Sequence, residues 1–272
     1  MANSVFDPNP RHVLAMLGSM LRQRPLLAVG VLTLVASAFF IAFPALDLAV
    51  SRLFYDPASG FPEGAAALEA MRDLGALAEW ALALALIVPI LVKLLAPESR
   101  LLVKPRTTLF GLATLALGPG LLVNVILKDF WGRARPREIL EFGGDASFTP
   151  AWRIAAECER NCSFVSGEAS AAFWLLALAM VAPLAWRRAA AIGALAITAL
   201  VSFARIAAGG HFLSDVVIAW LLTLLVMLAL REWLLSGLGS GFDNRAEAGL
   251  ARAGRRIRTL WSARHAPPPG AP

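Results

Sequence analysis

The chain has 272 residues, of which 58% are apolar and only 16% are charged, with a mean hydropathy of +0.66 and a formal net charge of +6. Soluble domains carry about 45–50% apolar and about 25% charged residues, so this composition excludes a disordered chain, a nucleic-acid-binding tail protein and almost any free-standing cytosolic enzyme. The positive charge predicts an anionic partner, and in so apolar a chain a membrane surface or a lipid head group is favoured over nucleic acid.

Six apolar stretches are long enough to cross a bilayer, which takes about 20 helical residues. Spanning segments must satisfy their backbone hydrogen bonds internally, and the alternation of β-barrel strands is absent. We therefore predict an all-α, polytopic membrane protein built as a six-transmembrane-helix bundle, and disfavour a soluble protein with six wholly apolar helices. The predicted spans are Leu26–Ala45, Leu77–Ala96, Leu109–Leu127, Ala169–Trp186, Ala189–Ala207 and Phe212–Leu234.

The chain divides into three parts. Residues 1–25 form a mixed N-terminal segment, residues 26–235 hold the six spans, and residues 236–272 form a basic tail. The first span is longer than the core of a signal peptide, so we expect an uncleaved anchor. In the tail, Leu250, Ile257, Leu260 and Trp261 fall near one face of a basic helix, which predicts a surface helix on anionic lipid. The Pro-rich end is expected to be disordered.

Lys and Arg in the short connections predict the orientation. They concentrate in the N-terminal segment, the second and fourth connections and the tail: Arg11, Arg22 and Arg24; Arg100, Lys104 and Arg106; Arg187 and Arg188; and six arginines from Arg245 to Arg264. With an even number of spans these segments share one side, which should be the cytoplasm. The 22 Arg and 3 Lys suggest a GC-rich bacterial genome, so we expect a bacterial inner membrane.

One outer segment, Lys128 to Val165, is basic where the orientation rule predicts few cations. It carries Lys128, Arg133, Arg135, Arg137, Arg153 and Arg160. Either this is a solvated basic loop on anionic lipid head groups, or it is a phosphate-binding site, for which Arg and Lys are suited.

Ionisable residues at membrane depth are costly and often functional, and here they cluster at one level. Lys128 ends the third span, Glu168 opens the fourth, Arg205 lies near the end of the fifth, and His211 and Asp215 open the sixth. Since the third and fifth spans run outward and the fourth and sixth run inward, all five positions should converge at the periplasmic interface.

His211 is the candidate nucleophile of this cluster, because His12 and His265 lie in the termini assigned to the cytoplasm. Asp215 follows one helical turn later, where a carboxylate can hold the imidazole tautomer and stabilise the charged ring. The pair alone is also compatible with a polar cap on the sixth span.

Two longer motifs connect these residues. Lys128-Asp-Phe-Trp-Gly-Arg-Ala-Arg135-Pro136 fits K-x6-R-P, and Arg205-Ile-Ala-Ala-Gly-Gly-His211-Phe-Leu-Ser-Asp215 fits R-x5-H-x3-D. Between them, the N-terminus of a predicted helix has the sequence Val165-Ser166-Gly167-Glu168. The chain resembles the type-2 phosphatidic-acid phosphatase superfamily in the order, the spacing and the membrane depth of these motifs. The motifs of that superfamily are K-x6-R-P, P-S-G-H and S-R-x5-H-x3-D.

The resemblance implies a mechanism. His211 would attack phosphorus and form a phosphohistidine that water then hydrolyses, with Asp215 orienting the ring. The phosphate oxygens would be held by Lys128, Arg135 and Arg205, with further donors from Ser166 and Gly167 at the helix N-terminus. The resemblance implies no cofactor and no metal, because three cations supply the charge that a metal would.

Two positions depart from the family pattern. Ala204 replaces the Ser before Arg205, although Ser202 is close, and Glu168 replaces the histidine that acts as general acid. Glu168 could protonate the leaving oxygen only if it took up a proton, which burial and a bound phosphate favour and the nearby cations oppose. Alternatively, Glu168 is a carboxylate stabilised by the helix N-terminus.

Cys158 and Cys162 precede Ser166 in the same outer loop. In an oxidising periplasm they could form a disulfide that holds the loop near the site, or they could be two unrelated small residues. No metal-ligand spacing accompanies them.

The resemblance therefore implies a membrane enzyme that removes phosphate from a lipid, and the outer arginines favour a multiply anionic head group. Lipid A is our first expectation, followed by undecaprenyl pyrophosphate, phosphatidylglycerophosphate and phosphatidic acid. The alternatives are a lipid phosphotransferase and a non-catalytic member that binds lipid phosphate. The expected partners are a phosphorylated lipid and the bilayer, with no nucleic acid; the sequence does not indicate an oligomeric state.

Overall fold

A computed structural model describes residues 23–265, and this part of the chain consists of helices and connecting loops without a β-strand. The all-α prediction is confirmed. Residues 1–22 of the N-terminal segment, which include His12, and the Pro-rich end that we expected to be disordered lie outside the described residues.

The first half of the bundle includes helices α1 to α4. They are α1 (Pro25–Ala42), the short α2 (Ala45–Arg52), α3 (Ala66–Leu95) and α4 (Pro105–Leu115). Pro25 and Pro105 occupy the first helical turns, where a missing N–H costs nothing. Helix α4 continues as a π-helix (Ala116–Leu127) and an α-helical turn (Lys128–Phe130). The Asn124 side chain donates to the carbonyl of Pro119 inside this π-helical segment (2.8 Å).

The second half follows a long loop that contains two short 3-10 turns. Its helices are α5 (Gly167–Trp174), α6 (Leu176–Val181), α7 (Leu184–Ala207), α8 (Leu213–Leu230, extended by π-helical residues Arg231–Ser236) and α9 (Phe242–His265).

Within residues 23–265, five helical segments are long and apolar enough to cross a membrane: Pro25–Ala42, Ala66–Leu95, Pro105–Phe130, Leu184–Ala207 and Leu213–Ser236. They match five of the six predicted spans and make the chain a multi-pass membrane protein. Large apolar side chains such as Leu34 and Trp80 are exposed on the outside of the bundle, as expected for surfaces that face lipid.

The predicted fourth span, Ala169–Trp186, is not one spanning helix, so the count of six is not confirmed. The apolar helical region Gly167–Val181 is interrupted at Leu175 between α5 and α6, and Pro183 precedes α7. Fifteen helical residues reach about 22 Å, which is less than the roughly 30 Å of a hydrocarbon core.

Helix α5 is buried at the centre of the bundle instead. It packs against α3, α7 and α8 and against the π-helical part of α4. Its Trp174 is fully buried, and the indole N–H donates to the Gly111 carbonyl and to Thr114 Oγ1, both at 3.0 Å. This packing fixes the N-terminus of α5 among the ends of four other helices.

Helix α9 docks at the opposite end of the bundle. Glu247 pairs with Lys93 near the end of α3, and Asp243 accepts two hydrogen bonds from Arg106 at the start of α4. Ile257 and Leu260 remain exposed on α9. The basic tail therefore lies at the end of the bundle that is remote from His211.

Candidate active site

The predicted site residues meet at one end of the bundle. The C-terminal ends of α4 and α7 provide Lys128 and Arg205, and the N-terminal ends of α5 and α8 provide Glu168 and Asp215, with His211 just before α8. The loop between α4 and α5 covers this end and contributes Arg135 and Ser166. Antiparallel connection of apolar helices is therefore sufficient to assemble the cluster.

His211 is almost fully buried, and the structure fixes its tautomer. Its Nδ1 lies 2.8 Å from the Ser163 carbonyl, which can only accept, so Nδ1 carries the proton. The lone pair of Nε2 is then the nucleophilic position of the ring. Burial lowers the pKa of His211 to about 4, so the ring is neutral at physiological pH.

Asp215 orients His211 less directly than the spacing predicted. Its Oδ2 is 3.9 Å from His211 Nδ1, which is outside hydrogen-bonding distance. The same oxygen accepts instead from the hydroxyl of Ser163 (2.5 Å) and from the backbone N–H of Phe212 (2.9 Å). Asp215 thus positions Ser163, and the carbonyl of Ser163 positions the His211 ring.

Asp215 belongs to a buried cluster of charged residues centred on Arg133. Arg133 is completely buried and donates to Asp215, to Asp47 on α2 (2.9 Å) and to the carbonyl of Thr149 (2.8 Å). Its guanidinium also lies 4.2 Å from the centre of the Phe212 ring. Burial raises the pKa of Asp47, and Arg133 opposes the rise.

Lys128 and Arg135 are held by one residue of the loop between α4 and α5. Asn161 accepts from Lys128 Nζ through its side chain (2.7 Å) and from an Arg135 Nη through its carbonyl (2.6 Å). Cys158 and Cys162 are joined by a disulfide that encloses Asn161 in its ring, with the two Cα atoms 5.6 Å apart. The small ring therefore positions two of the cations.

Arg205 presents to the site a donor that makes no hydrogen bond in the described part of the chain. Its side chain is largely buried, yet Nε makes no hydrogen bond within residues 23–265. Gly210 permits this placement, because a Cβ at this position would lie 2.5 Å from an Arg205 Nη. A buried guanidinium N–H without a partner is an available donor for an anion.

Ser166 and Gly167 form the start of α5. Ser166 Oγ accepts from the backbone N–H of Ala169 (3.3 Å), which is an N-cap and leaves the hydroxyl proton free to donate. A Cβ at position 167 would clash with Asn124 Oδ1, so a larger residue there would displace the Asn124 side chain. The N-terminus of a helix favours an anion.

Glu168 pairs with two arginines. Its carboxylate accepts two hydrogen bonds from Arg72 of α3, at 2.9 and 3.1 Å, and lies 3.5 Å from Arg205 Nε. Both contacts stabilise the charged carboxylate. Arg72, Glu79 and Glu168 line a recess of about 240 Å³.

The sequence did not predict the roles of Asp47, Arg72, Arg133 and Asn161. Arg72 lay outside the expected span because α3 begins eleven residues before Leu77, in a stretch that contains charged side chains. One signal was present, since Arg72 and Glu79 are seven residues apart and so share a helix face. Among the described residues no group of three His, Cys, Asp or Glu side chains is arranged to hold a metal ion.

Known proteins resemble this chain in sequence and in fold. The sequence model of the PAP2 superfamily matches residues 108–236, a range that contains all three motifs. The expected resemblance to the type-2 phosphatidic-acid phosphatases is therefore confirmed.

Curated relatives include a lipid A 4'-phosphatase of Rhizobium leguminosarum, 48% identical over 120 residues (44% of this chain and 52% of that protein). A lipid A 4'-phosphatase of Francisella tularensis subsp. novicida is 43% identical over 117 residues (42% and 53%). The chain spans about half the length of these relatives. The crystal structure of a transmembrane PAP2-type phosphatidylglycerolphosphate phosphatase from Bacillus subtilis superposes with a TM-score of 0.52 at 22% identity, covering 79% of this chain and 98% of that one, which shows the fold.

Proposed function

We propose that this chain, with its PAP2 superfamily region at residues 108–236, is a membrane lipid phosphatase that removes a phosphate from lipid A through a phosphohistidine at His211. The observation that carries the proposal is the hydrogen bond from His211 Nδ1 to the Ser163 carbonyl. It leaves the lone pair of Nε2 free for attack on phosphorus, and the positive charges of Arg205 and Arg135 act on the ring, as a phosphate site beside the nucleophile requires.

In the first step His211 Nε2 forms a bond to phosphorus, and the bond from phosphorus to the leaving oxygen breaks. The guanidinium and ammonium groups bind the equatorial oxygens and offset the charge that develops on them. Lys128 and Arg135 are oriented for this by Asn161, and Arg205 offers its Nε, which makes no hydrogen bond among the described residues. The Ser166 hydroxyl and the Gly167 N–H add donors at the start of α5.

The positive charge that forms on the imidazole is balanced through Asp215. Its carboxylate acts on the ring across 3.9 Å and, through Ser163, fixes the carbonyl that accepts the Nδ1 proton. In the second step water attacks phosphorus, the bond to Nε2 breaks and His211 returns to its neutral form.

We assign to Glu168 the protonation of the leaving oxygen, the role of the histidine that it replaces. In the free site Arg72 stabilises its carboxylate, so Glu168 has to take up a proton as substrate binds. A phosphate dianion bound to Arg205 favours that uptake by repulsion.

The site would face the periplasm from a bacterial inner membrane, with both termini in the cytoplasm. The basic connections support this orientation, because Lys104, Arg106 and Arg188 share the end of the bundle on which α9 docks. The exposed Ile257 and Leu260 of α9, flanked by arginines, suit the surface of an anionic bilayer.

Lipid A is the favoured substrate because the outer loop is rich in arginine and because two relatives are named lipid A 4'-phosphatases. The test is phosphate release from purified lipid A, undecaprenyl pyrophosphate, phosphatidylglycerophosphate and phosphatidic acid in detergent micelles. We expect release from lipid A, at the 4' position, and none with His211→Ala. Release from another lipid alone would overturn the substrate assignment, and release from none would overturn the function.

A further inference from the structure

Glu168 introduces a negative charge beside the proposed phosphate site. Its Oε2 lies 3.5 Å from Arg205 Nε, the buried donor that has no hydrogen-bond partner within residues 23–265. A shift of about half an ångström would bring the two atoms within hydrogen-bonding distance. A carboxylate in that place would occupy the donor that the substrate phosphate needs.

Arg72 holds this same oxygen. Its Nε donates to Glu168 Oε2 at 2.9 Å and its Nη2 to Oε1 at 3.1 Å, so both carboxylate oxygens are bound from the α3 side. Such a two-point contact fixes direction as well as charge. Arg72 is about two-fifths exposed, so it is not a core residue and its substitution should not prevent folding.

The position that Glu168 occupies explains why such a contact is needed. A neutral histidine, as in the P-S-G-H pattern, does not compete with phosphate for a guanidinium, whereas a carboxylate does. Arg72 belongs to none of the three motifs and lies nearly one hundred residues before Glu168, on a helix that faces α5 and α7.

We propose that Arg72 is a positioning residue that holds the Glu168 carboxylate away from Arg205 and so keeps Arg205 available to the substrate phosphate. This inference rests on the proposed function, since it takes Arg205 as a phosphate ligand. Without Arg72, Glu168 moves closer, accepts a hydrogen bond from Arg205 Nε and becomes an internal competitor of the phosphate.

The experiment measures the affinity of the purified full-length chain for inorganic phosphate by titration calorimetry, together with KM and kcat for lipid A. The variants are Arg72→Gln, Glu168→Gln and the double variant. A charge-assisted hydrogen bond to the competing carboxylate corresponds to about a tenfold effect or more, so Arg72→Gln should weaken phosphate binding and raise KM by that factor. Removing the competitor should restore the affinity, so the double variant should bind phosphate within about threefold of Glu168→Gln.

Two further variants serve as controls. Arg106→Gln removes a similar arginine–carboxylate pair at the other end of the bundle and should leave phosphate affinity unchanged. Arg72→Lys keeps a cation but loses the two-point contact, and its affinity should fall between wild type and Arg72→Gln.

Three results would overturn the inference. Unchanged affinity in Arg72→Gln would show that Glu168 does not compete. A loss that Glu168→Gln fails to rescue would mean that Arg72 binds the phosphate itself or has a structural role. Absence of phosphate binding in the wild type would overturn the proposed function as well, and this result is distinguishable from the other two.

Discussion

Replacing Arg133 should destabilise the fold, because Arg133 is the cation between two fully buried carboxylates. Asp47 and Asp215 are both inaccessible to solvent, and each accepts a hydrogen bond from a different Nη of Arg133. The perturbation is Arg133→Met, which keeps an unbranched apolar side chain but removes the charge and the donors.

The expected cost follows from burial. Removing one partner of a buried ion pair costs about 3–5 kcal/mol, because the remaining charge is left uncompensated. Here two carboxylates lose their partner, and the Thr149 carbonyl loses a donor as well. Solvent does not screen this loss, so we expect a decrease of at least about 3 kcal/mol in the free energy of unfolding, a large share of a typical 5–15 kcal/mol.

The decrease in the free energy of unfolding of Arg133→Met should also depend on pH. Burial raises the pKa of Asp47 and Arg133 opposes the rise, so the variant should raise it further. A carboxyl with a higher pKa in the folded than in the unfolded state stabilises the fold when protonated, and this stability is lost as pH rises through the folded-state pKa. The deficit of Arg133→Met should therefore be smaller in mild acid than at alkaline pH.

The assay is denaturant unfolding in detergent, followed by tryptophan fluorescence at several pH values. Arg137→Gln is the matched control, because the Arg137–Glu63 pair lies in the same outer region but is partly exposed, and such pairs contribute at most about 1 kcal/mol. Adding Asp47→Asn to Arg133→Met should recover part of the loss. A cost for Arg133→Met no larger than that of the control would refute the reasoning.

Three shorter predictions concern the site. His211→Ala should lower phosphate release from lipid A by about 10³ or more, since it removes the proposed nucleophile, and near-normal turnover would contradict that role. Because the reacting ring must be neutral and the pKa of His211 is lowered to about 4, kcat/KM should fall as pH drops through about 4; an acid limb near the usual histidine pKa would argue against this environment. Unreduced protein should give a Cys158–Cys162 peptide lighter by two hydrogens, and its reduction should impair turnover more than unfolding stability, because the small ring constrains little chain entropy. Full alkylation without reductant would exclude the bond.

Much of the membrane architecture could be predicted from hydropathy, because a span of sufficient length needs only apolar composition. The fourth helix shows the limit of that signal. The predicted segment Ala169–Trp186 is almost wholly apolar, but α5 is buried among other helices, so burial rather than lipid accounts for the composition of that helix. Composition alone does not distinguish a helix that faces lipid from one enclosed by protein.

Contacts of the candidate site could be predicted for residues that are close together in the sequence. His211 and Asp215 lie one helical turn apart, yet even there the spacing missed the hydrogen bonds, since Nδ1 turns to the Ser163 carbonyl instead. Local spacing places Arg72 and Glu79 on one helix face, but it does not show that Arg72 pairs with Glu168. Arg72 reaches it only because α3 extends well beyond its apolar stretch and packs beside α5.

The stereochemical course at phosphorus tests the central claim, catalysis through a phosphorylated histidine, without requiring the intermediate to accumulate. The substrate is an accepted lipid phosphate made chiral with three oxygen isotopes. Attack by His211 and then by water inverts phosphorus twice, so the account predicts net retention of configuration in the transferred phosphoryl group, analysed with an alcohol as acceptor in place of water. Net inversion would show a single direct displacement and would contradict the phosphohistidine.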